Sequence, residues 1–284
     1  MTAMQRDEGY SVLMSVYRKE QPAYLRQAMD SMWAQTAPPA EFVLMCDGPL
    51  TPELDAAIAR MQEDHPAELR VIRFEENQGL GKALNRGVQA CRCPLIARMD
   101  SDDVSRPQRC EKELALLDAH PEIDIVGGAI EEFTEWPEGA SEPARIDAVR
   151  RTAETPEAIR EFAKTRNPFN HPSVMYRKAA VLDAGNYEDV RYLQDYYLWI
   201  RMLLAGKQGM NLAEPLVWMR ADANLFKRRS GKLYRQIQLN LFRIMRTEGF
   251  ITRGQYLKSC ALRAGASVAP NWLRSAVFHK VLRK

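Results

Sequence analysis

The chain has 284 residues, of which 46% are hydrophobic and 27% charged, a balance that fits one large folded domain or a domain with an appendage and speaks against a low-complexity chain. No basic segment followed by a long apolar stretch opens the sequence, and no run approaches ~18 uninterrupted apolar residues, so neither a secretory signal nor a transmembrane helix is expected. The cysteines, Cys46, Cys91, Cys93, Cys110 and Cys260, offer one C-x-C spacing and no second pair, which argues against a zinc site and for reduced thiols in cytoplasm. The net charge of +3 conceals an asymmetry, because residues 225–284 carry 14 basic residues and one acid, Glu248, while residues 1–224 are acidic in balance. An acidic body with a basic tail predicts a tail that meets something anionic.

In chain order, the apolar run Tyr10–Val16 predicts a buried strand, and Pro22 opens a helix with Tyr24, Leu25, Ala28, Met29, Met32 and Trp33 spaced on one face. Glu41–Cys46 is a second strand, and Thr51-Pro52 supplies an N-cap and first-turn proline for a helix to about Met61. A strand at Arg70–Phe74, a helix at Leu80–Ala90, a strand at Leu95–Met99, a helix over about Pro107–Ala119 and a strand at Ile123–Gly127 follow. This alternation predicts an α/β fold with a mainly parallel sheet flanked by helices on both faces. Residues 128–172 look irregular. A short strand is expected at Pro172–Tyr176, a helix at Asp195–Ala205 and a last strand at Leu216–Arg220. From Gly231 onward two or three amphipathic helices are expected, broken near Gly249–Gly254 and Ala264–Pro270. The chain is therefore expected to divide into an α/β domain over 1–224 and a basic helical tail over 225–284.

Ligands of open α/β sheets bind outside the carboxyl ends of the strands, and polar residues gather there. The sharpest signal is RMDSDD, residues 98–103. Its D-x-D spacing suits a hard divalent cation, Mn²⁺ or Mg²⁺, that bridges to diphosphate oxygens. Asp102 is the expected direct ligand, with Asp100 beside it at the ribose or a metal-bound water; an acid-rich helix N-terminus is the plainer alternative. In NQGLGKALNRG, residues 77–87, Gly79 and Gly81 permit close backbone approach and Lys82 could reach a nucleotide. The segment fits neither a Walker A loop nor G-x-G-x-x-G. Asp47 could accept from a base N–H or simply make an Asp-Gly turn. Asp195, at the start of an apolar helix, could serve as general base toward an acceptor hydroxyl or as an N-cap. His171 could reach a diphosphate or metal, or be structural. Arg228 and Arg229, in KRRSG, could close over a leaving diphosphate.

In order and spacing the chain resembles the family 2 glycosyltransferases with a GT-A fold, above all those of bacterial O-antigen, capsule and amylovoran-type exopolysaccharide synthesis. The matching stretches are YSVLMSVY (10–17), DGPLT (47–51), NQGLGKALN (77–85), ARMDSDD (97–103), DIVGG (124–128), NPFNHPSVMYRK (167–178), DYYLWIRMLLAG (195–206) and KRRSG (227–231). The resemblance implies that Val16, Tyr17, Asp47 and Lys82 line a uridine pocket, that Asp100 and Asp102 form the metal motif, and that Asp195 is the catalytic base. It also implies an inverting transfer from a UDP-sugar donor to a lipid-linked (polyprenyl diphosphate) saccharide. The chain departs from the family in having Gln194 where Glu is usual, which bears on the acceptor, and Cys46 where many relatives have an acid. The basic, aromatic-rich tail, with Trp272, Phe278 and Val281, is expected to bring the protein to the inner face of the plasma membrane as a peripheral partner; a helical cap packed on the body or an oligomer contact is the alternative. No nucleic-acid recognition motif accompanies the charge. A nucleotidyltransferase would show glycines after the first strand, where this chain has SVYRKEQP. The other rival is a non-catalytic protein that binds a sugar nucleotide or membrane, and intact Asp100, Asp102 and Asp195 speak against it.

Overall fold

The structure, a computed structural model, describes residues 9–190, 192–221 and 232–268. Strand β1 (Tyr10–Val16) is apolar along its length because both its faces are covered. Leu13 points into one core cluster with Val43 and Met45, whereas Val12, Met14 and Val16 point into the other with Phe42 and Leu44. Helix α1 (Pro22–Trp33) lays Leu25, Ala28, Met29 and Met32 on the second cluster. After β2 (Glu41–Cys46), helix α2 (Pro52–Asp64) joins it through Leu54, Ile58 and Met61. Its N-cap is Thr51, whose hydroxyl accepts from Leu54 N. Strand β3 (Leu69–Arg73) follows, then α3 (Leu80–Ala90), which packs Ala83, Leu84 and Val88 on the opposite face.

Strand β4 (Leu95–Asp100) returns to the far side of β1, giving the parallel order β3-β2-β1-β4. Ser15 of β1 is in register with Asp100 of β4. The strand order reverses at this point, so a crevice opens at the carboxyl ends of β1 and β4. A short β5 (Val104–Ser105) and helix α4 (Arg109–Ala119) lead to β6 (Ile125–Phe133) and β7 (Ala148–Arg150). Helix α5 (Pro156–Phe162), a 3₁₀ turn (His171–Ser173), β8 (Met175–Arg177) and α6 (Lys178–Asp183) follow. The chain then forms α7 (Gln194–Leu204) and β9 (Gly209–Arg220). Strand β8 runs antiparallel between β4 and β6, and β6 pairs in parallel with β9. The sheet is thus mixed, with parallel pairing dominant.

The C-terminal half is more regular than its sequence predicts. β6 extends to Phe133 and β9 begins at Gly209, where short strands were expected. Gly127 and Gly128 interrupt the apolar pattern of β6, and Glu214-Pro215 imitates a turn in β9. The two irregularities are opposed: the register slips between Gly128 and Ile130, opposite Pro215, so a local bulge absorbs the proline. The first tail helix, α8 (Lys232–Thr247), buries Leu241, Phe242 and Met245 in the core shared with α7. The second, α9 (Arg253–Val268), continues through Ala264, where a break was expected.

Candidate active site

Strand β4 delivers an acidic cluster to the crevice. Asp100, Asp102 and Asp103 each offer a carboxylate oxygen, and these oxygens lie within 4.8 Å of one another. Asp100 and Asp102 are half-buried and Asp103 is buried. Burial, the charge of Asp100 and that of Glu20 push Asp102 up to about 7. Burial and the charges of Asp102 and Asp100 hold Asp103 well above the usual carboxylate range. Hard oxygens crowded against one another this way fit a divalent cation, which would neutralise charge that the protein leaves uncompensated. Asp100 and Asp102, being partly open, could hold it. Asp103 Oδ1 accepts from Arg220 N at 2.8 Å, so it anchors the cluster to the end of β9. Arg220 Nε also donates to Asp102 O at 3.1 Å, and its guanidinium lies between the rings of Tyr24 and Phe133. On the other flank, Ser101 Oγ donates to Glu20 Oε2 at 2.6 Å.

Beneath the cluster lies a buried cation. Arg98 pairs with Asp100 through Nη2, while its Nε and Nη1 are buried and without a hydrogen-bond partner. Residues 98 and 100 point to one side of β4 because side chains alternate along a strand. The charges of Asp100 and Asp195 both favour the cationic form of Arg98. The same two carboxylates act on Tyr187, whose hydroxyl burial pushes above its usual range. Asp100 and Asp195, 95 positions apart in sequence, therefore share one small region around Arg98 and Tyr187. Asp195 sits half-buried in the first turn of α7, and Asn167 Nδ2 donates to its Oδ2 at 2.6 Å. His171 bonds Tyr187 Oη at 3.0 Å through Nε2 and lies outside the acidic cluster. Burial and the nearby Arg98 hold its pKa well below the ordinary value, so the ring is neutral.

Val16, Tyr17 and Asp47 lie at the carboxyl ends of the neighbouring strands β1 and β2. Val16 ends β1, and Tyr17 beside it is 38% exposed. Asp47, just after β2, is buried, and its carboxylate accepts from Asn77 Nδ2, Gln78 N and Gly79 N at 2.7–3.2 Å. It thus shapes the 77–79 loop that opens α3. Gly48 has φ +86, and a Cβ there would stand 2.6 Å from Asn77 N, so only glycine fits. Gly79 caps α3 with φ +95. An open cleft of about 340 Å³ next to the loop is lined by Phe74, Gln78, Lys82, Asn85, Arg86 and Tyr187. Lys82 is exposed there, and Tyr187 joins this cleft to the Arg98 region. Arg228 and Arg229 lie outside the described residues, as do Trp272, Phe278 and Val281 of the tail.

The sequence model described as glycosyl transferase family 2 matches residues 11–188. The chain belongs to glycosyl transferase family 2. Among its relatives is an uncharacterized glycosyltransferase of Haemophilus influenzae, 37% identical over 97% of this chain and 99% of that one. An amylovoran biosynthesis glycosyltransferase of Erwinia amylovora is 36% identical over 85% and 88% of the two chains. An Escherichia coli UDP-Gal:α-D-GlcNAc-diphosphoundecaprenol β-1,3-galactosyltransferase is 30% identical over 97% of both. The GT-A fold is shared with S. aureus TarS 1–349 in complex with UDP-GlcNAc, at a TM-score of 0.66 and 17% identity, covering 96% of this chain and 76% of that one. It is shared also with a mannosyltransferase of Pyrobaculum calidifontis solved with GDP-Man and Mn²⁺, at a TM-score of 0.63 and 14% identity, covering 95% and 78%. Membership of this family removes the nucleotidyltransferase reading.

Several residues of the transferase's site escaped sequence reasoning. Arg98 had a usable signal: a charge inside the buried strand LIARMD, two positions from an acid, predicts an ion pair across one face. Asp103 was visible in the motif without a distinct role. Asn167 was masked by Pro168, since an Asn-Pro pair is the ordinary mark of a turn. Glu20, Tyr187 and Arg220 reach the site through tertiary packing from remote segments, and no local pattern announces them.

Proposed function

We propose that the protein is an inverting, divalent-metal-dependent transferase that moves a sugar from a UDP-sugar donor onto a lipid-linked saccharide during bacterial surface polysaccharide synthesis. The observation that carries this reading is the meeting of Asp100, Asp102 and Asp103 at the end of β4 with Asp195 across the buried cation Arg98. Asp195 takes the proton of the acceptor hydroxyl. The freed oxygen bonds to the anomeric carbon from the face opposite the leaving group. The bond from that carbon to the diphosphate oxygen breaks, and its electron pair leaves with UDP. A divalent cation held by Asp100 and Asp102 would supply the charge that the departing diphosphate requires. Uridine is accommodated beside Val16, Tyr17 and the loop that Asp47 holds, with Lys82 in the adjoining cleft; Arg228 and Arg229 are assigned to the diphosphate. The activity named for the E. coli relative supports a UDP-sugar and a polyprenyl diphosphate carrier, and inversion rests on the family resemblance.

Such an acceptor resides in the inner membrane, and we assign the tail, residues 225–284, to its cytoplasmic surface. Helix α9 exposes Leu257 and Leu262, 62% and 64% open, near the basic Arg253 and Lys258. Among the described residues no helix is long and apolar enough to cross a membrane. Amphipathic basic helices bind anionic interfaces through apolar side chains, with about 1 kcal/mol from each cation. Leu257→Ser with Leu262→Ser is expected to reduce sedimentation with phosphatidylglycerol vesicles; unchanged sedimentation would refute the assignment.

The catalytic reading is tested by UDP release from a panel of UDP-sugars with Mn²⁺ and a synthetic GlcNAc-diphospho-lipid. Asp102→Ala and Asp195→Asn are each expected to lose about a hundredfold or more of turnover while remaining folded. Wild-type turnover in either folded variant would refute the role given to that residue.

A further inference from the structure

We propose that Asn167 is the positioning residue of the catalytic base, an inference that rests on the assignment of Asp195. Asn167 Nδ2 donates to Asp195 Oδ2 at 2.6 Å, and both residues are half-buried. The amide orientation is fixed at its other end, because Asn167 Oδ1 accepts from Phe169 N at 3.4 Å. A carboxylate beside a carboxamide must take the NH₂ group, since its oxygens accept only.

The segment that carries Asn167 is bolted to the sheet. Asn211 Nδ2, on β9, donates to Pro168 O at 3.1 Å and to Ala153 O at 2.6 Å. Asn170 Nδ2 donates to Gly128 O on β6 at 2.9 Å, and Ser173 Oγ donates to the same carbonyl at 3.0 Å. Pro168, Asn170 and Ser173 are buried. The amide that meets Asp195 is therefore a rigid donor. It fixes the plane of the carboxylate, and with it the direction of the lone pair that accepts the proton. A reacting group held within about half an ångström and 10–20° of its productive pose needs a partner of this kind.

The hydrogen bond also favours the ionised form of the base. Arg98, from β4, and Tyr187, from the segment after α6, are among the charged and titratable groups that act on Asp195. Asp100 and His171 adjoin them and act on the same Arg98. Asn167 has no bond to the acidic cluster, so its loss is expected to spare cation and donor binding.

Asn167→Asp and Asn167→Ala are the test. The first keeps the shape and replaces the donor by a like charge; the second removes the donor. The assay is UDP release, with water as acceptor, from the UDP-sugar that gives the largest Mn²⁺-dependent thermal shift. For Asn167→Asp, kcat at pH 7 is expected to fall at least tenfold and the acid limb of its pH profile to move up by a pH unit or more. Asn167→Ala should show a smaller change in the same direction. Donor KM and the Mn²⁺ concentration at half-maximal thermal shift should stay within twofold of wild type. A merely structural role would lower the melting temperature without moving the acid limb. Unshifted acid limbs, or kcat within twofold in both variants, would overturn the proposal. Asp195→Asn, run alongside, separates the two claims. If that variant turns over normally, the base assignment falls and this one with it; if it is inactive while both Asn167 variants behave as wild type, only the positioning role falls.

Discussion

Asp102→Asn should make the metal-free protein more stable while removing its response to Mn²⁺. Burial, Asp100 and Glu20 raise Asp102 from 3.8 to about 7, and a full rise of that size corresponds to about 4 kcal/mol against the ionised form. Water reaches the half-buried carboxylate and screens part of this, which leaves about 2 kcal/mol. The sign follows from proton counting. The folded state binds the proton more tightly than the unfolded state, so stability falls as pH rises between about 4 and 7. Below that window the carboxyl is neutral in both states and the asparagine brings no advantage. At pH 8 in EDTA the variant is expected to melt about 4–8 °C above wild type, and the difference should shrink toward zero near pH 4. Asp103 gains as well, since it loses a like-charged neighbour. With Mn²⁺ the order reverses, because wild type gains binding energy by mass action and the variant does not. An Asp102→Asn protein no more stable than wild type at pH 8 in EDTA, or one with the full Mn²⁺ shift, would refute the view that the cluster is a strained cation site. Stability given up for function at an active site is a common trade.

Gly48→Ala forces a side chain into φ +86 and against Asn77 N; it should cost about 1–3 kcal/mol in chemical denaturation and raise donor KM by loosening the loop that Asp47 holds. Arg220→Met keeps an apolar stem between Tyr24 and Phe133 but loses the bonds to Asp102 O and to Gln27 Oε1. It should weaken Mn²⁺ binding severalfold in calorimetric titration with a stability loss of about 1–3 kcal/mol. Truncation at Gly231 strips Leu241, Phe242 and Met245 from the core, at roughly 1.5–3 kcal/mol for each side chain. The truncated chain is therefore expected to aggregate or melt far below wild type, and point changes on α9 are the proper probe of membrane binding.

The N-terminal half was legible because its periodicity and its punctuation agree. Apolar strands alternate with amphipathic helices, and Thr51-Pro52 caps a helix where the residues predict one. The motif RMDSDD stood at a strand end, and the strand places its acids within reach of one another. Beyond Gly127 the signals conflict. Glycines broke β6 and a proline broke β9, yet each is tolerated because the bulge between them meets both needs. Helix α8 could be recognised as amphipathic, but only packing shows that its apolar stripe faces the protein. The site was legible as acids and illegible as a circuit: the acids stand in motifs, while Tyr187 and Asn167 acquire meaning only through the neighbours that tertiary folding supplies.

Co-crystallisation with UDP and Mn²⁺, read by anomalous scattering at the manganese edge, measures the arrangement directly. A manganese peak bonded to Asp102 and Asp100, with UDP lying along the ends of β1 and β4 and the Asp195 carboxylate facing the space beyond the β-phosphate, is the predicted result. Manganese bound away from this cluster, or Asp195 walled off from the diphosphate, would contradict the account.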